Sequence, residues 1–358
     1  MNIKLGFIAA LLLLITGCET QKNVSSSTSS SKKESHEFKI NTIAFYNLEN
    51  LFDTVDDTTK NDEASPIMEM SEGVRADVYA EKQKNMARVI SRIGYKIANN
   101  APAVIGVCEV ENFDVLEDLV NEPALKKYNY GIVHYDSPDE RGIDVALLYQ
   151  KAIFKPIFSN TEELVMYRNG DLNKRDYTRD QLYVKGLLDG EEMHFLVNHW
   201  PSRGSAEASR ILAAKSSRSV VDSIQGAEPN AKIMIMGDFN DGPYNKSITD
   251  NLLGVGEREQ VKFKELYNPF DKIYKQGIGT IAWRDTWDLF DQIMMSKALI
   301  QNEFDTYQLY KASVFNANFL QNPEGRYKGY PYRAFADGGF TGGYSDHFPV
   351  YIHLIKEL

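Results

Sequence analysis

Two short runs carry most of the chemistry in this chain: Gly237-Asp238-Phe239-Asn240-Asp241 and Ser345-Asp346-His347-Phe348-Pro349. Each lies beside an apolar run that reads as a buried strand, and each gathers carboxylate, amide or imidazole groups within a few residues. An isolated ionised carboxylate costs several kcal/mol to desolvate, so such clusters beside a core need a partner for their charge. A divalent cation is the natural partner, since hard cations take carboxylate and carbonyl oxygens. The pattern points to a metal-assisted enzyme.

Five further segments place polar groups at predicted strand ends: Asn47-Leu48-Glu49-Asn50, Glu109-Val110-Glu111-Asn112, Arg141-Gly142-Ile143-Asp144, Asn198-His199-Trp200-Pro201-Ser202-Arg203 and Asp288-Leu289-Phe290-Asp291-Gln292. Singly, each has an ordinary reading. Asn47 could be a turn residue, Glu109 a solvated strand end, His199 a satisfied semi-buried histidine and Asp291 a turn cap. Asp144 could touch His199 or the metal region, or serve only as a strand-edge carboxylate.

Something must position these groups. Strand-like runs are frequent: 40–47, 103–109, 130–135, 144–149, 182–188, 193–198, 232–236, 292–295 and 350–355. Several are continuously apolar, as in strands buried on both faces. Helical periodicity appears over 81–98, 113–120 and 205–225, the last with Ser205 as its expected N-cap. The acidic stretch 51–73 lacks periodicity and reads as a surface loop. Many strands with few helices predict an α/β (α+β) layered domain, with helices covering packed sheets.

The chain has 358 residues, 43% hydrophobic and 11% aromatic, enough for one large domain or two small ones. Its formal net charge of −10 weighs against gripping long nucleic acid through phosphate contacts. It does not exclude a nuclease, because a bound cation neutralises phosphate locally. Residues 1–17 read as a secretory leader: Lys4 is followed by an apolar stretch, Leu5 to Ile15, too short to span a bilayer. Leu14-Ile15-Thr16-Gly17-Cys18 resembles a bacterial lipobox, which implies lipidation of Cys18. The serine-rich segment 18–37 reads as a tether and 38–358 as the folded domain. We expect a monomer in the cell envelope, extracytoplasmic and held to the membrane by its N-terminal lipid, with no protein partner inferred. The second cysteine, Cys108, lies in an apolar run and reads as a buried small residue.

Taken together and in order, these motifs resemble the endonuclease/exonuclease/phosphatase superfamily, with its DNase I-like fold, over about residues 41–355. The Gly-rich approach to the last motif, Gly338-Gly339-Phe340-Thr341-Gly342-Gly343, is similar to that of secreted or lipid-anchored bacterial members. The resemblance implies a two-sheet sandwich with helices on the outer faces, and phosphoester hydrolysis with Mg²⁺ or Mn²⁺. It implies Glu109 as principal metal ligand, with Asn47 beside it and Asp346 in the last motif. It gives Asp238 and Asn240 the attacking water, His347 the phosphate, Asp291 the orientation of that histidine, and His199 the place of a second catalytic histidine. Arg179 resembles a phosphate-gripping arginine, and Arg203, close after His199, is expected to line the cleft. Trp283, Trp287 and Tyr244 could stack a base or sugar. The substrate reading is an extracytoplasmic nuclease first and a phosphatase or phosphodiesterase of small phosphoesters second. A non-catalytic surface-binding lipoprotein is the rival of another class.

Overall fold

A computed structural model describes residues 37–168 and 171–358. The leader, Cys18 and the tether up to residue 36 lie outside them. In chain order the main strands are β1 (Phe38–Leu51), β2 (Val104–Val110), β3 (Tyr130–His134), β4 (Asp144–Gln150), β5 (Phe154–Glu162), β6 (Gln181–Leu188), β7 (Glu191–His199), β8 (Ile233–Asp238), β9 (Gly254–Val255), β10 (Leu266–Tyr267), β11 (Asp291–Ser296), β12 (Gln308–Val314) and β13 (Val350–Glu357). Among the described residues the three longest helices cover them: α1 (Glu72–Ile90), α2 (Phe113–Asn121) and α3 (Glu207–Ala227). Among the described residues no helix is long and apolar enough to cross a membrane.

The strands form two mixed sheets, ordered β12-β13-β1-β2-β4-β3 and β9-β10-β11-β8-β7-β6-β5. Each has a parallel pair near its centre, β1 with β2 and β7 with β8, flanked by antiparallel neighbours. Strand period two explains the layering. Ile43, Phe45, Val197, Met234, Met236 and Ile293 face inward and make the core between the sheets. Ala44, Tyr46, Ile105 and Val107 face outward, beneath α1 and α2. Leu196, Ile233 and Ile235 meet Ala213, Ala214 and Val221 of α3. The result is the expected two-sheet sandwich with helices outside.

At Gly106 the two sheets approach closely. A Cβ there would lie 2.8 Å from Met236 Sδ and 3.0 Å from Val197 Cγ1, both on the opposite sheet. A methyl there would force the side chains of Met236 and Val197 to give way.

The structure departs from the sequence expectation at several places. α1 begins at Glu72, inside the stretch read as ending a loop, and it stops at Ile90, with Gly94 left-handed at φ 70° before a separate turn at Tyr95–Ala98. Ser205 is not the cap of α3; Ala206 holds that position, and Ser205 N donates to Ser202 O. β5 and β12 have no counterpart in the predicted strands. Both are sheet edges with mostly polar or exposed residues, and β5 shifts register around Pro156. Edge strands lack the apolar continuity that reveals central ones.

Candidate active site

The alternation that builds the inter-sheet core also builds the site. Asn47 continues the inward series of Ile43 and Phe45, and His199 that of Phe195 and Val197. Asp238 continues Met234 and Met236, while Asp291 continues Met295 and Ile293. The inner face turns from apolar to polar at one end of the sandwich. Register aligns the second sheet's contribution: Asp238 pairs with His199 on one side and Asp291 on the other.

Glu109 reaches the site by a different device. The β2–β4 register skips from Cys108 to Val110, leaving Glu109 as the extra residue of a bulge, at φ 57°. A bulge re-aims a side chain that regular pleating would send to the helix-covered face. β1 is likewise irregular between Asn47 and Leu51, with Glu49 and Asn50 left-handed. Asn240, at φ 50°, turns the chain directly after Asp238. Left-handed conformations at non-glycine residues cluster where local geometry is held for function.

Asn47 Nδ2 donates to Glu109 Oε1 and to Asp238 Oδ2, each at 3.1 Å. Its Oδ1 accepts from Glu49 N at 2.8 Å, which fixes which end of the amide faces the carboxylates. Glu109 Oε2 accepts from Asn50 N at 3.0 Å, and Asp238 Oδ1 from Asn240 N at 2.9 Å. His347 Nδ1 donates to Asp291 Oδ2 at 2.7 Å, leaving Nε2 3.8 Å from Asp238 Oδ2. His199 Nε2 sits 3.8 Å from both Glu109 Oε1 and Asp238 Oδ2, and its buried Nδ1 has no hydrogen-bond partner.

Burial pushes the Asp238 carboxyl up to about 7; His347 opposes the rise, while Asp291 and Glu109 add to it. The two histidines are driven apart. Burial, Arg179, Arg141 and His347 hold His199 well below the ordinary imidazole range. Burial also disfavours charge on His347, but the carboxylates of Asp291 and Asp238 outweigh it and raise that imidazole well above the range. Opposed shifts in neighbouring groups are how one site separates proton-holding roles.

Other expected residues stand nearby with different partners. Arg179 is buried: Nη1 pairs with Asp139 Oδ2 at 3.2 Å and Nη2 donates to Trp200 O at 2.7 Å. Instead of an open phosphate grip, it is an internal positive charge near His199. The same Trp200 carbonyl accepts from Asn240 Nδ2 at 3.0 Å. Arg203 lies at the rim, donating to Asn240 O at 3.2 Å and Asp288 Oδ2 at 2.9 Å. Asp346 pairs with Arg333 at 3.4 Å. Asp144 bonds His134 Nε2 at 2.9 Å and Ser137 N at 2.8 Å, the strand-edge alternative. Gln292 is structural, tying Asn268 to Asp241 O.

Sequence reasoning missed a supporting layer. Buried Glu49 accepts from Arg333 Nε and Ala334 N, while buried Lys82 donates to Glu49 O at 2.6 Å. Thr280 Oγ1 accepts from Phe290 N at 3.2 Å and more loosely from Asp291 N at 3.4 Å. Ser345 Oγ donates to Asn47 O at 2.7 Å and accepts from His347 N at 3.1 Å, locking the last motif to β1. Glu49 stood inside a singled-out motif; nothing local marks Lys82 or Thr280.

The donor chemistry suits a divalent cation. Glu109, Asp238, Asp291, Asp346 and Glu49 crowd one end of the sandwich, and the nearby Lys82 and Arg333 are engaged with Glu49 and Asp346. Both Glu109 oxygens meet only neutral amide donors and an imidazole held uncharged. An oxygen-rich set with surplus negative charge fits the Mg²⁺ and Mn²⁺ class.

The sequence profile that this fold and site accompany is that of a phosphoesterase. The chain belongs to the Endonuclease/Exonuclease/phosphatase family, whose sequence profile matches residues 42–356. Solved structures with the same fold include an endonuclease/exonuclease/phosphatase family protein from Bacteroides thetaiotaomicron, 15% identical, with a TM-score of 0.56 over 90% of this chain and 100% of that one. A mannosyl-6-phosphatase from the same organism is 16% identical, with a TM-score of 0.52 over 88% and 99%. TDP2 from D. rerio, complexed with a single strand DNA product, is 14% identical, with a TM-score of 0.51 over 88% and 98%. No curated protein matches the chain.

Proposed function

We propose that this protein is a metal-dependent phosphodiesterase acting on nucleic acid, with short or single-stranded substrates favoured over long duplex. The observation that carries the reading is the setting of Asp238. One oxygen is held by Asn47 and the other by Asn240, and the carboxylate stands 3.8 Å from both imidazoles. Phosphoryl transfer asks for an oriented nucleophile and for positive charge near the non-bridging oxygens. A bound Mg²⁺ or Mn²⁺, held by Glu109 and Asp346, would neutralise phosphate charge and ease ionisation of water.

The chain's own residues supply the rest. Asp238 is oriented to accept a proton from the attacking water and, with its raised affinity for protons, suits that task near neutral pH. His347, kept cationic and aimed by Asp291, faces the charge that develops on phosphate. His199, kept neutral, offers a hydrogen-bonding nitrogen without adding charge. Asn47 spaces the two carboxylates. Arg203 and the aromatic rim would contact the substrate beyond the phosphate. Trp283, 71% exposed on the hairpin of Ile281–Trp283 and Thr286–Asp288, offers a stacking face, while Trp287 packs on Phe348. The net charge of −10 disfavours extended phosphate tracking. By the same reading, the leader and Cys18 would place the enzyme in the cell envelope on a lipid anchor.

The test is a substrate panel run with Mg²⁺ and with EDTA: plasmid DNA, single-stranded oligonucleotide, a dinucleotide phosphodiester, an inositol phosphate and a phosphomonoester. Diester hydrolysis abolished by EDTA, and by Glu109→Gln, supports the proposal. Preference for the phosphomonoester would replace it with the small-substrate phosphatase. Hydrolysis of none would promote the binding protein.

A further inference from the structure

A second group of metal-ligating side chains lies away from the cleft. Glu192 and His194 are two residues apart on β7 and share its outer face. Glu228 follows directly after α3, at the negative end of that helix's dipole. His194 is only 4% exposed, and its buried Nε2 has no hydrogen-bond partner. That nitrogen lies 3.3 Å from Glu192 Oε1 and 4.0 Å from Glu228 Oε2. The group opens into a cavity of about 470 Å³, also lined by Glu162 and Lys185.

We propose that Glu192, His194 and Glu228 form a second metal site of the Zn²⁺ class, three protein ligands with the fourth position left to water. A tetrahedral Zn²⁺, with metal–nitrogen and metal–oxygen bonds of about 2.0–2.2 Å, holds its ligand atoms roughly 3.3–3.5 Å apart. The His194–Glu192 separation already has this value. The His194–Glu228 separation reaches it if the exposed Glu228 side chain moves by less than about 1 Å. An imidazole beside carboxylates, with no thiolate, selects Zn²⁺ over Mg²⁺. His194 Nδ1 lies 2.8 Å from the Tyr183 hydroxyl, and the two rings stack. Donation from Nδ1 to that hydroxyl leaves the Nε2 lone pair free beside the carboxylates, the tautomer that metal-bound histidines share.

The charges agree. Three carboxylates, Glu162, Glu192 and Glu228, face one ammonium, that of Lys185, which contacts Glu192 at 2.6 Å. Burial keeps His194 in its neutral, ligating form. The surplus of two negative charges equals the charge of the ion. The site is distinct from the cleft: His194 precedes His199 by five residues on one strand, about 16 Å, and faces the opposite side of the sheet. A metal here would join β7 to the end of α3 and stabilise the folded state by binding it alone.

The experiment uses the full chain carrying Glu109→Gln, which weakens the cleft's own hold on metal. Equilibrium dialysis should find one tightly held Zn²⁺ per chain, and Co²⁺ in its place should give the visible absorption of a tetrahedral site. Adding Glu228→Gln, at an exposed helix end where folding is not at risk, should lower Zn²⁺ affinity by at least about tenfold. His194→Gln should remove the Co²⁺ spectrum and the rise in Tm with Zn²⁺. Lys185→Met, which deletes the competing ammonium, should tighten binding. In the otherwise unaltered protein, Glu228→Gln should leave hydrolysis unchanged. Equal Zn²⁺ stoichiometry and Co²⁺ spectra with and without His194 and Glu228 would overturn the proposal, as would no bound Zn²⁺ at all.

Discussion

His347 and Asp291 stand 56 residues apart in sequence, and their side chains meet at 2.7 Å. One belongs to the loop before β13 in the first sheet, the other opens β11 in the second. Their hydrogen bond therefore closes the site across the sandwich. Asp291→Asn preserves volume but removes the charge that orients and supports the imidazolium. We expect hydrolysis to fall roughly 10²–10⁴-fold with Tm little changed. Steady-state kinetics beside a thermal melt checks this; activity within threefold of wild type would show that the pair is not used.

Asp238→Asn separates function from stability. Its carboxylate is buried beside Asp291 and Glu109, which disfavour its charge while His347 favours it, so the amide removes a charge that burial and two neighbours oppose. Hydrolysis should fall at least about 10³-fold, while Tm measured in EDTA stays equal or rises. A lower Tm together with retained activity would contradict both parts.

Gly106→Ala tests the contact between the sheets. The added methyl would meet Met236 and Val197 from the opposite sheet. Overpacking of this kind costs about 1–3 kcal/mol, readable as a lower urea midpoint at unchanged slope. A neutral effect would mean the sheets can separate without penalty.

His353, fully buried on β13, predicts how stability changes with pH. Its Nδ1 lies 3.1 Å from Thr42 Oγ1, and burial, aided by Lys311, lowers it from the usual imidazole value to about 4. Between about pH 4 and 6.5 the unfolded chain binds this proton and the folded chain does not. The contribution is complete above about pH 6.5 and is lost as pH falls, at no more than about 1.4 kcal/mol per pH unit. His353→Gln should flatten the fall in urea midpoint between pH 6.5 and 4 by that part. An unchanged slope would assign acid sensitivity elsewhere.

Central strands and edge strands differed in legibility for a physical reason. β1, β2, β7 and β8 are buried on both faces, so their apolar runs stand out, and the polar residues that end them stand out equally. β5 and β12 answer to solvent on one edge, so polar side chains and Pro156 are tolerated and the pattern dissolves. In the site, Asn47, His199, Asp238 and Asp291 could be placed by counting outward from the core. Glu109 could be named by its motif, but its direction depends on a bulge that no local pattern announces. Arg179 was singled out by the family resemblance, yet its two terminal nitrogens are engaged by Asp139 and the Trp200 carbonyl.

The order and identity of the motifs by themselves carried the family resemblance, and only through it the two-sheet architecture; apolar periodicity, a local property of the chain, reached no further than a layered α/β domain. Tertiary structure alone decided which groups touch. It set Asn47 between two carboxylates, held the two imidazoles 3.8 Å from Asp238, and brought Glu228 beside His194. Those contacts join residues tens to hundreds of positions apart. Their distances and proton affinities arise from burial and neighbouring charge, which exist only once the sheets have packed.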